Sequence, residues 1–414
     1  MYISPRDKEI LKGLAKQLAE IAHLPIQKEK ADLWRRLNGL ERIRPLVNWH
    51  MEDLCWQEIF SDDVLKCSDD ICRYYERYLR RTLFQWENIR DDKVITAEIP
   101  YPVVVNDAIF GITADVKHSD ITYGGAVAFK PVLKEESDIE KIKTPTITFN
   151  EEATIRNYQI CSEIFDGILK PVRKNNFGFP CITLVDDFAI FRGIEQMYMD
   201  FIERPEWVHR VLERMLQSRL NAIEQYEKLG LLNLNNSNNE VGTSALGYTD
   251  ELPRDDYDGT NVRLKDLWGF SASQVFVSVG NNMYEEFATQ YDKQFFDRVG
   301  LGVIGCCEPL ERRMDIIKTI PNIRIVSMSE WVNREKAAEE LKDDYVFAYK
   351  PTGTYFASET WDLDAARKDL EDLLQKTRGC VVEIHHNSCS TCRNQPERIF
   401  QWVDMAMKLA EKYT

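Results

Sequence analysis

From about residue 231 to its end the chain alternates between short apolar runs and longer amphipathic ones. After "LLNLNN" and a polar stretch rich in Asn, Asp and Gly come "NNMYEEFATQYDKQFFDRVG", "LGVIGC", "ERRMDIIKTI", "IRIVSMS", "NREKAAEEL", "YVFAYKP", "LDAARKDLEDLLQKTRG", "CVVEIH" and "QPERIFQWVDMAMKLAEKY". The short runs have the length and β-branched content of buried strands, and the longer ones carry apolar residues at helical spacing. A helix that follows a strand returns the chain to start the next strand in the same direction, so this alternation implies a parallel sheet. Basic residues followed by Gly230, Gly300 or Gly379 mark helix ends, and Pro396 suits a helix start.

Further strands are expected near 95–104, 145–149 and 181–187, which with 231–236, 301–306, 323–328, 345–349 and 380–385 makes eight. Eight parallel strands close a (β/α)8 TIM barrel. The first ninety residues read as helical, in "EILKGLAKQLAEIAHL" and "DDICRYYERYLRRTLFQWENI". The expected organisation is therefore an N-terminal helical extension, 1–93, packed on an α/β barrel, 94–414. An open doubly wound sheet is the alternative, but the sequence has no Gly-rich phosphate turn after an early strand.

The formal charge of −15 argues against a nucleic-acid or anionic-membrane coat, which needs clustered Lys and Arg. No run approaches the roughly 18 apolar residues of a membrane span, and the charged opening "MYISPRDKEILKGLAKQLAEI" is unlike a signal peptide. A cytoplasmic protein is expected. Most of its 10 cysteines should be reduced, and Cys55, Cys67, Cys72, Cys161 and Cys181 read as small core residues.

In a barrel the chemistry sits at the carboxyl ends of the strands. That rule selects Asn235, Asn238, Asn239 and Glu240 after the fourth run, Cys306, Cys307 and Glu308 after the fifth, and Ser327, Ser329 and Glu330 after the sixth. It adds Lys350 after the seventh, then His385, His386, Cys389 and Cys392 after the eighth. Thiolates and imidazoles from two loops of one rim suit Zn²⁺. The alternatives are a strand-ending Cys pair with helix-capping histidines, or a Cys-x-x-Cys redox pair at 389–392. Asp186 and Asp187 serve equally as a base, a cation ligand or a helix cap. Tyr248, Trp268 and Phe270 could line a pocket for a flat ligand, while His50 reads as a structural residue of the helical extension.

The order of elements and the segments "LGYTDELP", "DLWGFSASQVF", "GVIGCCEPL" and "CVVEIHHNSCSTC" resemble the uroporphyrinogen decarboxylase superfamily, and within it the corrinoid-dependent methyltransferase branch. In that branch's zinc enzymes a His-x-Cys-Gly sequence follows the fifth strand and a further Cys follows the eighth. Cys307 matches the first Cys, and Cys389 or Cys392 the second. Gly305 stands in place of the His and Glu308 in place of the Gly, so a replacement ligand would come from Cys306, Glu308, His385 or His386. The Arg-rich R-Q-A-G-R motif of true decarboxylases is absent.

The resemblance implies methyl transfer from a small methylated donor, such as an aryl methyl ether, to the cobalt of a separate corrinoid protein, with zinc as metal. The reverse direction, with the metal activating a thiol acceptor, belongs to the same branch. A decarboxylase-like lyase and a non-catalytic small-molecule-binding barrel are the other readings, and a homodimer is compatible with either. The candidate catalytic carboxylates are Glu308, Glu240 and Asp187. Asn235, Asn238, Tyr248, Trp268, Glu330 and Lys350 are the substrate-binding candidates.

Overall fold

The computed structural model describes residues 3–106, 109–118, 127–174 and 180–413. Its centre is a seven-stranded parallel sheet made of β1 (Leu46–Trp49), β2 (Cys181–Ile182), β3 (Trp268–Ser271), β4 (Leu301–Ile304), β5 (Ile323–Met328), β6 (Val346–Tyr349) and β7 (Val381–His386). The spatial order is β1-β7-β6-β5-β4-β3-β2. Each strand from β2 to β6 pairs with its successor in the sheet, and β1 pairs with β7. That cyclic order has no reversal of direction, so it excludes the doubly wound alternative, whose strand order must reverse at a switch point.

Side-chain direction along the strands shows two apolar layers. Trp268, Phe270, Leu301, Val303, Ile325, Val346, Ala348 and Val381 fill an inner core together with Val241, Ala245 and Leu246 of a loop that enters the sheet's concave side. Val47, Trp49, Ile304, Val326, Met328, Phe347, Tyr349, Val382 and Ile384 belong to an outer core shared with the helices. The alternation is the two-residue period of a strand buried on both faces. Long helices, notably Pro205–Lys228, Leu363–Lys376 and Glu397–Lys412, cover the outer face.

The architecture is TIM-barrel-like, but closure is not complete: among the described residues no pairing joins β1 to β2. Four expectations about strands need correction. The run 231–236 forms no strand; Leu231 and Leu232 are apolar because they pack with Ile147, Tyr226 and Leu267. Glu98–Pro102 is a strand but pairs only with Lys170–Lys174, and Thr148–Phe149 pairs only with Val105–Asn106. At 181–187, the strand stops at Ile182 and Leu184 begins a helix.

Two strands of the sheet were missed. β1 lies inside the segment expected to be helical, between the helices Pro25–Asn38 and Asp70–Asn88. β3, "WGFS", lies in the stretch read as a polar loop; its Gly and Ser are poor strand formers. The Asn235 side chain serves as a ladder partner for it, accepting from Trp268 N (2.9 Å) and donating to Trp268 O (3.1 Å).

Candidate active site

The period-two alternation of β7 sorts its polar residues. Val381 faces inward, so Glu383 and His385 share its face, while His386 points out with Val382 and Ile384. His386 stacks on Trp49 (centroids 4.2 Å apart) and meets Trp402 and Phe356 edge-on. Burial depresses its pKa to about 3, which makes it a neutral core residue. Lys350, one residue past the outward Tyr349 of β6, turns inward and is buried.

The inward groups are organised by the loop that enters the sheet. Ser244 Oγ donates to Glu383 at 2.7 Å and Ala245 N donates to the same oxygen at 3.1 Å. Lys350 Nζ donates to the carbonyl of Thr243, whose own hydroxyl donates to Gly305 O at 2.7 Å. Among the described residues the second oxygen of Glu383 and Nδ1 of His385 are buried without a hydrogen-bond partner. Burial pushes the Glu383 carboxyl up to about 7, with Lys350 pulling in the opposite direction. Burial, and then the Lys350 charge, keep His385 neutral and well below its ordinary pKa. Burial also lowers the Lys350 pKa.

Beyond β4 the chain turns at Gly305, whose φ of +89° is in the left-handed region. A Cβ there would lie 2.4 Å from both Ser327 O and Leu310 Cδ1, so no side chain fits. The His that the family motif would place at this position is excluded by geometry. Cys306 and Cys307 follow, their sulfurs 3.5 Å apart, with Cys307 exposed. The hydrogen bond with Cys306, aided by the Lys350 charge against the effect of burial, lowers the Cys307 thiol below its ordinary pKa. Glu330 lies near enough to oppose that shift.

Glu308 is fully buried and accepts from Ser273 N (2.8 Å) and Cys306 N (2.7 Å), which ties the end of β4 to that of β3. Its oxygens hold backbone rather than face an open site. Asp187 sits in the first turn of Leu184–Arg192, accepts from Thr183 Oγ1 at 3.1 Å, and is raised to about 6 by burial.

Glu240 pairs with His50 Nδ1 (2.8 Å) and more distantly with Lys93 Nζ (3.7 Å). Burial raises its pKa, but Lys93 and His50 outweigh burial and hold it well below the carboxylate range, while Glu240 raises His50. The His50 and His385 rings are 6.3 Å apart. His50 and Glu240, together with Asn238, line a cavity of about 650 Å³ at the carboxyl end of β1. His50 therefore belongs to the site and not to a helical extension; "PLVNWH", an apolar run ending in His, was the signal.

Three substrate-binding candidates lie elsewhere. Asn235 and Trp268 meet at the first residue of β3, at the opposite pole; Tyr248 is held there by Asn38 and lies under Arg35. The error follows from the misplaced fourth strand, which shifted the expected strand end.

The six candidate zinc ligands do not converge. Cys306, Cys307 and His385 are at the sheet's inner mouth and His386 is in the outer core. Cys389 and Cys392 are buried in that same outer core; Cys389 lies 4.0 Å from Cys55, and Cys392 donates to Glu58 at 3.3 Å. Among the described residues no group of three or more His, Cys, Asp or Glu side chains is placed to hold a metal ion. The residues present do not fit zinc in the way the family motif implies.

Glu383 and Asp292 escaped the sequence reading. Asp292 is buried, accepts from Ser271 Oγ at 2.5 Å and is pushed up to about 7 by burial. Each sits inside an apolar run or helix, where a charged residue must face inward or be paired.

No protein-family model and no curated protein matches the chain. Among solved structures, a methyltransferase from Methanosarcina mazei is similar with a TM-score of 0.51 at 9% identity, covering 90% of this chain and 96% of that one. At that identity the likeness is one of fold alone: the two chains share an α/β architecture over nearly their whole lengths. No helix among the described residues is long and apolar enough to cross a membrane.

Proposed function

We propose that the chain is a methyltransferase that moves a methyl group from a small methylated donor, of the aryl methyl ether type, to the corrinoid of a separate protein. Its likeness in fold to a methyltransferase supports the reaction class. The observation that carries the reading is the inward face of β6 and β7, where Glu383 and Lys350 sit beneath one loop beside Cys306 and Cys307.

Breaking an O–CH3 bond leaves an electron pair on oxygen, which needs a proton or a compensating charge. A carboxyl with a pKa near 7 is protonated in a large fraction of molecules at neutral pH and is matched to donate. A buried ammonium stabilises the developing oxyanion more strongly than one in water. Reduced cobalt supplies the nucleophile when the partner is docked. What remains for this chain is to orient the ether, exclude water and move one proton: Glu383 gives its proton to the departing oxygen and is left as carboxylate beside Lys350.

The test is to incubate the chain with a reduced corrinoid protein and a panel of methyl ethers and methylamines, following the absorbance of reduced cobalt. Methylation by an ether supports the proposal. Methylation by no donor favours a non-catalytic binder or an unrelated lyase.

A further inference from the structure

The cavity beside His50 has a charge opposite to that of the protein. The chain as a whole carries −15, yet the cavity is lined by Arg77, Arg81, Lys93 and His50 against the single carboxylate of Glu240. Two of these cations are already engaged. Arg77 makes a two-pronged bond to Asp62, outside the cavity, at 2.9 and 2.6 Å, and His50 is bound to Glu240.

Arg81 and Lys93 are not satisfied in that way. The Lys93 ammonium is 3.7 Å from Glu240, beyond hydrogen-bond range. Arg81 reaches Asp53 at 3.4 Å through one nitrogen, and that carboxylate is 91% exposed, so water screens the pair. Among the described residues, Nε of Arg81 is buried with no partner. The guanidinium lies 4.9 Å from the Trp56 ring centre, and Tyr74 and Tyr78 also line the cavity. Burial lowers the Arg81 pKa, and the long contact with Asp53 offsets this only in part.

A guanidinium with an unused edge takes a planar carboxylate by two parallel hydrogen bonds, and aromatic walls suit a flat apolar body. We propose that this cavity binds a small aromatic carboxylate, its carboxylate on Arg81 and Lys93 and its ring against Trp56, Tyr74 and Tyr78. The inference rests on the methyl-transfer reading only in giving that reading's donor an anionic group; binding itself needs no corrinoid.

The test is calorimetric titration of the full chain with benzoate and with benzamide, which has the same shape and no charge. Benzoate is expected to bind at least about tenfold more tightly, with a preference that shrinks as salt is added. The preference is expected to fall to less than about threefold in Arg81→Gln, and to weaken in Lys93→Met; circular dichroism checks that both variants fold. Equal affinity for the two ligands, no binding of either at millimolar concentration, or an unchanged preference in both variants overturns the proposal. A carboxylate preference in a protein that methylates no corrinoid leaves this inference standing and sinks the methyl-transfer reading. Methyl transfer from a neutral ether, without carboxylate preference, does the reverse.

Discussion

Ser244 Oγ donates to the Glu383 carboxyl at 2.7 Å, joining a loop residue to the middle of β7 across 139 positions of sequence. That bond fixes one oxygen of a fully buried acid and leaves the other without a partner among the described residues. The proposed chemistry depends on this arrangement.

Glu383→Gln keeps the shape and an acceptor for Ser244 but cannot give up a proton. Its methyl transfer at pH 7 is expected to fall by roughly 10²–10⁴, the usual worth of a general acid. Single-turnover rates on the two proteins measure it. A variant as fast as wild type removes Glu383 from the mechanism.

The same substitution has a signature in stability. The folded pKa of Glu383, about 7, is above its ordinary value of 4.5, so between these pH values the folded state holds more protons than the unfolded state. Stability therefore falls as pH rises from about 4.5 to 7, by at most about 3 kcal/mol from this group. Asp292 adds a loss of the same sign between its ordinary 3.8 and about 7. Urea unfolding across pH 4.5–8 is expected to show a shallower decline in Glu383→Gln than in wild type.

Cys307 is expected to react with iodoacetamide at a lower pH than an ordinary thiol, because the hydrogen bond with Cys306 and the Lys350 charge stabilise its thiolate. Both Cys306→Ala, which removes the hydrogen bond, and Lys350→Met should move the midpoint of that reaction upward, measured by mass spectrometry of the alkylated peptide. An unmoved midpoint in both would leave the low thiol pKa without its stated cause.

Gly305→Ala meets Ser327 O and Leu310 in a backbone conformation that disfavours any side chain. We expect it to cost roughly 1–3 kcal/mol or more, read as a lower unfolding midpoint. Gly305→His, which would restore the family motif on paper, should destabilise further and not create a metal site.

The strand–helix rhythm from 301 onward was legible because β4 to β7 are apolar runs separated by helices with clear stops. Gly230 and Gly379 do take the left-handed conformation expected of helix ends. Gly300 does not; it is small because Leu252 and the Lys265 carbonyl approach it closely. β1 and β3 were hidden because four residues are too few to show a period, and because Asn235, far away in sequence, supplies β3 with a ladder partner.

The site was partly legible for a related reason. Knowing where a strand ends locates Cys307, Lys350 and His385, but whether a residue faces in or out depends on register, which separates His385 from His386 and removes Cys389 and Cys392 from the mouth. Glu383 lies within the strand, two residues before the end that the rule selects.

The most direct test of the central claim follows the methyl group itself. A methoxybenzoate carrying a deuterated methyl is mixed with the chain and a reduced corrinoid protein, and the corrinoid and the aromatic product are both weighed by mass spectrometry. The account predicts one deuterated methyl on cobalt for each phenol released, with both products lost together in Glu383→Gln. Phenol released without label on the corrinoid, or neither product from any methoxybenzoate or other methyl ether, would contradict it.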